Sequence, residues 1–229
     1  MKAESARREP RFALLLNGSD FACEVLQALQ QSNVCPRLLV LPEYPPAVSA
    51  ATQAAPAAQL LTRSPRRLIK LAGNIEIAYA PRARQAECAH LLRQQEIEFI
   101  LIACWPYLID KLLLESATKA AVNLHPSMLP AYRGPDPIGA QLDCAEPHPG
   151  VSLHLLNAQF DQGDIVSQAE LVQAELVQPE NDRASLERRC AVLGSELFIS
   201  ALNEYDAGWN LVPQPPLPVD LADSVVSER

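Results

Sequence analysis

The chain has 229 residues, of which 48% are hydrophobic, and carries a net charge of −8 at pH 7. This length and apolar content predict a single domain with a sizeable core. The acidic balance argues against a broad nucleic-acid surface, because such a surface usually needs a basic stripe. No apolar run reaches the roughly 20 residues of a membrane helix, and the charged N-terminus is unlike a signal peptide, so we expect a cytoplasmic protein with no membrane contact.

The first part of the chain alternates short apolar runs with amphipathic segments. Residues 12–16 form an apolar run typical of a strand, residues 21–31 have helical periodicity, and residues 37–41 form a second strand. A strand, turn, helix and strand in this order predict a βαβ unit with parallel strands. Residues 42–62 are rich in Ala and Pro, and we interpret them as a flexible connection.

The same alternation continues through the rest of the chain. Further strands are predicted at residues 75–80, 99–103, 120–124, 151–156 and 165–171, and helices at 64–72, 84–95, 109–114, 137–143 and 182–205. The predicted class is α/β, with a doubly wound, mostly parallel sheet and flanking helices in a single domain. We expect an N-terminal extension at 1–10, the main domain at 11–207 and a proline-rich tail at 208–229.

The stretch from Asn123 to Gly134 is the most informative part of the sequence. An apolar run precedes Asn123 and His125, and alternate positions of an extended segment point to the same side. The amide and the imidazole can therefore meet at one spot at the end of a strand, while Pro126 and Pro130 fix the chain that follows. A rigid loop of this kind favours chemistry, although a lone histidine beside prolines often only stabilises a loop.

This stretch resembles the Asn-x-His-Pro-Ser-x-Leu-Pro signature, followed by Tyr-Arg-Gly, of the folate-dependent formyltransferases. Those enzymes include the glycinamide ribonucleotide, methionyl-tRNA and sugar N-formyltransferases. A second element, Gly-Val-Ser-Leu-His at 150–154 with Asp-Gln-Gly at 161–163, resembles their Gly-Val-Thr-x-His and Asp-x-Gly. The resemblance covers roughly residues 118–166. It implies a Rossmann-like formyltransferase fold, with the catalytic domain at 11–207.

The resemblance implies catalytic roles for Asn123, His125 and Asp161, with 10-formyltetrahydrofolate as formyl donor and no metal. The residue types suit the chemistry, because formyl transfer places negative charge on the formyl oxygen and moves a proton between two nitrogens. Asn123 offers an N–H donor to that oxygen, worth roughly 3–4 kcal/mol. His125 can shuttle protons near neutral pH. Asp161 can orient His125 or accept the amine proton. Asp164 is the competing carboxylate, but the family pattern favours the one before x-Gly.

Further positions are expected to support the site or bind ligands. We expect His154 to be a buried histidine that supports the catalytic residues, and Gly163 to allow a turn conformation that a bulkier residue would resist. Arg133 suits a carboxylate or phosphate, and the turn before the first helix favours anions. The expected substrate-binding positions are Gly18, Ser19, Ser127, Arg133 and Gly134. The expected cofactor-binding positions, implied by the resemblance, are Trp105, Tyr107, Leu108, Ile109 and Asn157.

The expected function is that of an N-formyltransferase acting on the amine of a small or nucleotide-linked substrate. We expect a methionyl-tRNA formyltransferase-like catalytic domain that lacks the C-terminal tRNA-binding domain, since only the proline-rich tail follows residue 207. Nucleic acid is therefore not an expected partner, and either a monomer or a homodimer is compatible with the sequence. One alternative is a catalytically idle relative that binds folate or another protein. A dinucleotide-binding protein is disfavoured because the full Gly-x-Gly-x-x-Gly motif is absent.

Overall fold

The fold is known from a computed structural model, which describes residues 9–43, 65–171 and 182–216. These residues form seven strands and six α-helices. The strands are β1 (Phe12–Leu16), β2 (Leu38–Leu41), β3 (Glu76–Tyr79), β4 (Phe99–Ala103), β5 (Ala120–His125), β6 (Gly150–Leu155) and β7 (Ile165–Glu170). The helices are α1 (Asp20–Gln31), α2 (Pro65–Ala72), α3 (Gln85–Gln94), α4 (Lys111–Leu114), α5 (Pro137–Asp143) and α6 (Arg183–Glu204).

The strands form one sheet in the order β3-β2-β1-β4-β5-β6-β7. Strands β1 to β5 pair in parallel, whereas β6 pairs antiparallel with both β5 and β7. The chain moves outward from β1 to β3 and then crosses back to β4 on the other side of β1. In open α/β sheets, ligands bind beyond the carboxyl ends of the strands near such a reversal. The predicted doubly wound, mostly parallel sheet is confirmed.

Both faces of the sheet are covered, which explains the continuous apolar runs of the central strands. All five residues of β1 and all five of β4 are buried. Alternate residues of β1 enter two separate hydrophobic clusters, one with α1 and α6 and the other with α3 and α4. A strand buried on both faces cannot show the alternation of a half-exposed strand, so its sequence is apolar throughout.

Helix starts differ slightly from the sequence predictions because capping side chains fix them. Helix α1 begins at Asp20, since the hydroxyl of Ser19 accepts a hydrogen bond from the Ala22 N–H. The helix predicted at 109–114 begins at Lys111, because the Asp110 carboxylate caps it. The start of each of these two helices is thus set by one polar side chain at its N-cap, which a hydrophobic pattern alone does not locate.

Several predicted segments lie partly outside the described residues. These are residues 1–8 of the N-terminal extension, 44–62 of the Ala/Pro-rich segment and 217–229 of the tail. Within residues 9–43, 65–171 and 182–216, no helix is both long and apolar enough to cross a lipid bilayer.

The described part of the predicted tail is packed against the domain. We call residues 209–216 the C-terminal strap. The Trp209 ring lies 5.2 Å from that of Tyr205, and its indole N–H donates to the Ala201 carbonyl at 2.9 Å. Val212 then exchanges backbone hydrogen bonds with Ile165 of β7, at 2.8 and 3.0 Å. The strap therefore extends the sheet edge beside the loop that precedes β7.

The core contact between α6 and β1 gives a first prediction. Phe198 is 1% exposed, and its ring lies 5.1 Å from that of Phe12 in an edge-to-face arrangement. Phe198→Ala should lower the free energy of unfolding by about 3–5 kcal/mol, because it leaves a cavity in the core. Urea unfolding measures the change. Val192→Ala, on the same helix but 41% exposed, is the control and should change it by less than about 0.5 kcal/mol. Equal losses in the two variants would contradict this packing.

Candidate active site

Three polar side chains meet at the carboxyl end of β5. Asn123 and His125 lie two residues apart on this strand, as the alternation predicted, and Asp161 lies in the loop between β6 and β7. The His125 Nδ1 is 3.5 Å from the Asp161 Oδ1, and the Asn123 Nδ2 is 3.4 Å from the same oxygen. The structure thus brings together the amide, the imidazole and the carboxylate that the sequence singled out.

A backbone contact determines which ring nitrogen of His125 carries the proton in the neutral imidazole. The Nε2 atom lies 2.9 Å from the carbonyl oxygen of Tyr132, which can only accept a hydrogen bond. In the neutral imidazole the proton is therefore on Nε2, and the Nδ1 that faces Asp161 carries the lone pair. A proton taken up at Nδ1 would lie directly beside the carboxylate. This arrangement suits a proton acceptor whose charged form is stabilised by its neighbour.

His154 orients Asn123 through the pairing of β5 with β6. The two residues are direct partners in the antiparallel ladder, and the Asn123 Nδ2 lies 3.0 Å from the His154 Nε2. The His154 Nδ1 is 2.8 Å from the Leu155 carbonyl, which requires the proton to be on Nδ1. The Nε2 lone pair therefore accepts from the Asn123 amide. His154 is thus buried and holds the amide of Asn123, while its supporting role in catalysis stays a prediction.

The loop that carries Asp161 has an unusual backbone. Asp161 itself has a φ of +52°, in the left-handed region, and its Oδ2 accepts from the Gly134 N–H at 3.1 Å. The turn conformation predicted for Gly163 is therefore at Asp161 instead. A Cβ at Gly163 would collide with the backbone carbonyl of Leu155. Gly163 is required because the loop lies close against the end of β6.

Burial and electrostatic attraction determine the protonation states of His125 and Asp161. Only 5% of the His125 side chain and 11% of the Asp161 side chain are exposed. Burial lowers the pKa of His125 below its usual value, although the charge of Asp161 opposes this. Burial raises the pKa of Asp161, but its attraction to His125, its interaction with His154 and the hydrogen bond from Gly134 outweigh this and lower the pKa to about 2. Near neutral pH the pair is thus a neutral imidazole beside a carboxylate.

Ser127, which we expected to bind substrate, braces the loop instead. Its side chain is fully buried, and its hydroxyl donates to the Ala131 carbonyl at 2.7 Å. The Ser152 hydroxyl donates to the Ser127 carbonyl at 2.6 Å and accepts from the Leu129 N–H at 2.9 Å. Gln168 of β7 donates to both the Ser152 hydroxyl and the Leu129 carbonyl. The loop after His125 is therefore fixed by buried hydrogen bonds.

The sequence reasoning did not identify Ser152 and Gln168 as part of this network. Ser152 is the direct ladder partner of His125, just as His154 is the partner of Asn123. Two polar residues at alternate positions of an otherwise apolar strand were the available signal, because they lie on one face of it. Their partners on β5 could not be known without the register of the two strands.

The other expected substrate-binding residues lie in two places. Ser19 caps α1, and the backbone N–H of Asn17 donates to the Cys104 carbonyl at 3.1 Å, so Gly18 and Ser19 lie where β1 and β4 end. Gly134 binds Asp161 through its N–H. Arg133 is engaged by the C-terminal strap, because its Nη2 donates to the Gln214 Oε1 at 2.6 Å and to the Pro215 carbonyl at 3.0 Å.

The residues expected to bind the cofactor follow β4 and β6. The Trp105 and Tyr107 rings lie 5.8 Å apart, and the Tyr107 hydroxyl donates to the Pro42 carbonyl at 2.9 Å. The Leu108 carbonyl accepts from Gln85, and Ile109 is a buried packing residue. The Asn157 Oδ1 accepts from the Gln159 N–H. Among the residues that the structure places, no three His, Cys, Asp or Glu side chains form a group that could hold a metal.

The fold and the site together define a doubly wound α/β protein with an amide, an imidazole and a carboxylate suited to acyl transfer. The model of the family described as "Formyl transferase" matches residues 11–202. The chain therefore belongs to this family, as the resemblance of its two motifs indicated.

The similar proteins include methionyl-tRNA formyltransferases and glycinamide ribonucleotide transformylases. The methionyl-tRNA formyltransferase of Verminephrobacter eiseniae is 29% identical over 83% of this chain and 57% of its own length. That of Pelobacter propionicus is 28% identical over 90% of this chain and 60% of its own length. The chain thus spans less than two thirds of these relatives.

Solved structures of glycinamide ribonucleotide transformylases share the fold. The structure of transformylase 1 from Symbiobacterium toebii matches with a TM-score of 0.62 and 16% identity, over 90% of this chain and 94% of that one. Transformylase 1 from Geobacillus kaustophilus matches with a TM-score of 0.59 and 22% identity, over 85% and 97% of the two chains. At these identities the similarity establishes the fold alone.

The charges of the His125–Asp161 pair give a second prediction. NMR titration of the His125 ring should give a pKa below the ordinary histidine value of about 6.5, because burial disfavours the imidazolium. Asp161→Asn should lower this pKa further, because it removes the negative charge that favours the imidazolium. Asparagine suits the left-handed backbone at this position, so the loop should be retained. His125→Gln identifies the resonance, and a pKa that rises in Asp161→Asn would contradict the assignment of charges.

Proposed function

We propose that the chain transfers a formyl group from 10-formyltetrahydrofolate to the amine of a small or nucleotide-linked acceptor. The convergence of Asn123, His125 and Asp161, at the signature positions of the formyl transferase family, carries this proposal. The donor supplies a formyl carbon bonded to nitrogen, and addition of the amine places negative charge on the formyl oxygen. The site must therefore stabilise an oxyanion and move one proton.

Asn123 is the proposed donor to the formyl oxygen. One of its amide hydrogens is used by His154 at 3.0 Å, whereas the contact with Asp161 at 3.4 Å is long for a hydrogen bond. The second hydrogen is therefore the one more easily redirected to a ligand. Because His154 holds the amide plane in place, this hydrogen is fixed in direction before a ligand binds, which is what makes such a donor effective.

His125 and Asp161 are the proposed proton-handling pair. The amine proton is accepted at the His125 Nδ1, whose lone pair faces Asp161, and the carboxylate then stabilises the imidazolium. The proton can return from Nδ1 to the leaving nitrogen. The Tyr132 carbonyl binds His125, and the Gly134 N–H binds Asp161, so these two backbone groups fix the imidazole and the carboxylate relative to each other. Both groups are thus positioned by the same short stretch of backbone.

The donor pocket is proposed to lie beside the residues that follow β4. The supporting observation is that the indole Nε1 of Trp105 is buried and has no hydrogen-bond partner among the described residues. A buried N–H without a partner is costly, and a ring carbonyl of a bound pterin would supply the missing acceptor. Cys104, just before it, has a φ of +60°, so the backbone turns sharply at the end of the strand. Leu156, the neighbour of Asn157 in the chain, packs against the same hydrophobic cluster as Trp105, which supports a place for Asn157 in the proposed pocket.

The acceptor is proposed from the charge of the chain and the names of similar proteins. Those names point to methionyl-tRNA on one side and glycinamide ribonucleotide on the other. Binding to a long nucleic acid depends on many Lys and Arg contacts to phosphates. With 19 Lys and Arg against 27 Asp and Glu, the chain favours the smaller acceptors. We therefore place small and nucleotide-linked amines ahead of tRNA.

A screen of acceptors tests the proposed function. The protein is incubated with 10-formyltetrahydrofolate and, separately, with amino acids, nucleotide-linked amino sugars, glycinamide ribonucleotide and aminoacyl-tRNA. Mass spectrometry then detects the formylated product. A product made by the wild type and absent from His125→Ala supports the proposal. It would be overturned if no product formed and calorimetry showed no binding of a 10-formylfolate analogue at millimolar concentration. Donor binding with equal slow hydrolysis in both proteins would favour a catalytically idle relative.

The three proposed catalytic residues give a third prediction. Asn123→Ala and Asp161→Asn should each lower kcat by at least about 100-fold, because one removes an oxyanion donor and the other a charge that stabilises the imidazolium. Steady-state kinetics with the acceptor found in the screen measures the effect. Asp164→Asn is the matched control, since this carboxylate lies three residues further along the same loop, and it should leave kcat within about 3-fold of the wild type. A large loss in Asp164→Asn alone would shift the assignment to that residue.

A further inference from the structure

One side chain of the C-terminal strap joins the two loops that hold the acid–base pair. The Gln214 Nε2 donates to the Gly163 carbonyl at 2.6 Å, and its Oε1 accepts from the Arg133 Nη2 at 2.6 Å. The backbone pairing of Val212 with Ile165 delivers this side chain to the space between the loops. The amide nitrogen and the amide oxygen of Gln214 thus each bind a different loop of the site.

Each anchor of Gln214 lies within two residues of a catalytic contact. Gly163 follows Asp161 by two positions. Arg133 lies between Tyr132, whose carbonyl binds the His125 Nε2, and Gly134, whose N–H binds the Asp161 Oδ2. A shift of either loop would therefore change the distance between the imidazole and the carboxylate. Gln214 opposes such a shift because it ties the two loops together.

The strap also supplies acceptors to a partly buried cation. Burial lowers the pKa of Arg133, whose Nη2 donates to Gln214 and to the Pro215 carbonyl. Its Nε is buried and has no hydrogen-bond partner among the described residues. The guanidinium is therefore short of partners already, and removal of the Gln214 acceptor would leave it poorly satisfied. The strap is in this way needed to hold Arg133, and with it the backbone of Tyr132 and Gly134.

We propose that Gln214 is a positioning residue, which holds the Asp161 loop and the Arg133 loop at the separation that formyl transfer requires. Its catalytic consequence rests on the proposed function. Its structural consequence does not, because the bond between the Gly134 N–H and the Asp161 carboxylate exists in the protein without ligand and can be followed by hydrogen exchange.

Two substitutions of Gln214 separate its two bonds. Gln214→Ala removes both. Gln214→Glu keeps an acceptor for Arg133 but places a carboxylate oxygen against the Gly163 carbonyl, so the bond to the Asp161 loop is lost. Leu211→Ala is the control, because this residue lies in the same strap with a side chain that is 38% exposed. The two Gln214 variants should behave alike if the bond to Gly163 is essential.

The experiment combines hydrogen exchange by NMR with steady-state kinetics. Exchange at the Gly134 amide should accelerate at least about 10-fold in both Gln214 variants, while the amides of β1 and β4 keep their protection and Leu211→Ala resembles the wild type. The kcat should fall roughly 10- to 100-fold with KM little changed, since misplacement of reacting groups affects the chemical step.

The outcomes that overturn the inference are distinct from those that overturn the function. Wild-type exchange at Gly134 in Gln214→Ala, or equally faster exchange throughout the sheet, would show that Gln214 does not position the loops. A wild-type kcat in both variants would show that their separation is not critical. If the wild type formylates no acceptor and binds no 10-formylfolate analogue, the proposed function fails, and the Gly134 exchange still decides whether Gln214 holds the site together.

Discussion

The antiparallel pairing of β5 with β6 is the constraint on which the site depends. Its register places His154 opposite Asn123 and Ser152 opposite His125. The first pair orients the amide, and the second places the Ser152 hydroxyl where it can bind the loop that follows His125. A slip of one residue would turn the polar side chains of β6 to the face of the sheet opposite those of β5. The apolar residues between them, Leu124 and Leu153, are buried in the core and oppose that slip.

The polar groups of the site are held by several hydrogen bonds and close polar contacts rather than by a few strong ion pairs. The Asp161 carboxylate has three neighbours at 3.1 to 3.5 Å, provided by Gly134, Asn123 and His125. Such a carboxylate can stay ionised although it is almost buried, since the N–H groups of Gly134 and Asn123 favour the charged form, and His125 does so once it is protonated. The backbone strain of a left-handed aspartate is of a size that these contacts can offset. The charge of Asp161 and the conformation of its loop are therefore maintained by the same contacts.

The sequence predicts the sheet well and the site in part, for different physical reasons. The central strands are buried on both faces, so their apolar runs are unmistakable, and Asn123 and His125 share a strand, so their common direction follows from its geometry. The contacts of Ser152, Gln168 and Gln214 depend on register and on long-range packing, which no local pattern records. Gly163 shows the same limit, because its close neighbour is the Leu155 carbonyl of another element rather than its own turn.

The charges around the cleft bear on the kind of acceptor that we propose for it. Two features of the sequence suggested anion binding, the N-terminus of α1 and Arg133. In the structure, Asp20 already occupies the first turn of α1, where its carboxylate complements the helix dipole. Arg133 is bound by Gln214 and Pro215 of the strap. A phosphorylated acceptor would have to compete with internal partners at both places, whereas an acceptor bound through hydroxyl or amide groups would not. Among the small and nucleotide-linked amines that we propose as acceptors, this distribution of charge favours those whose phosphates lie away from these two positions.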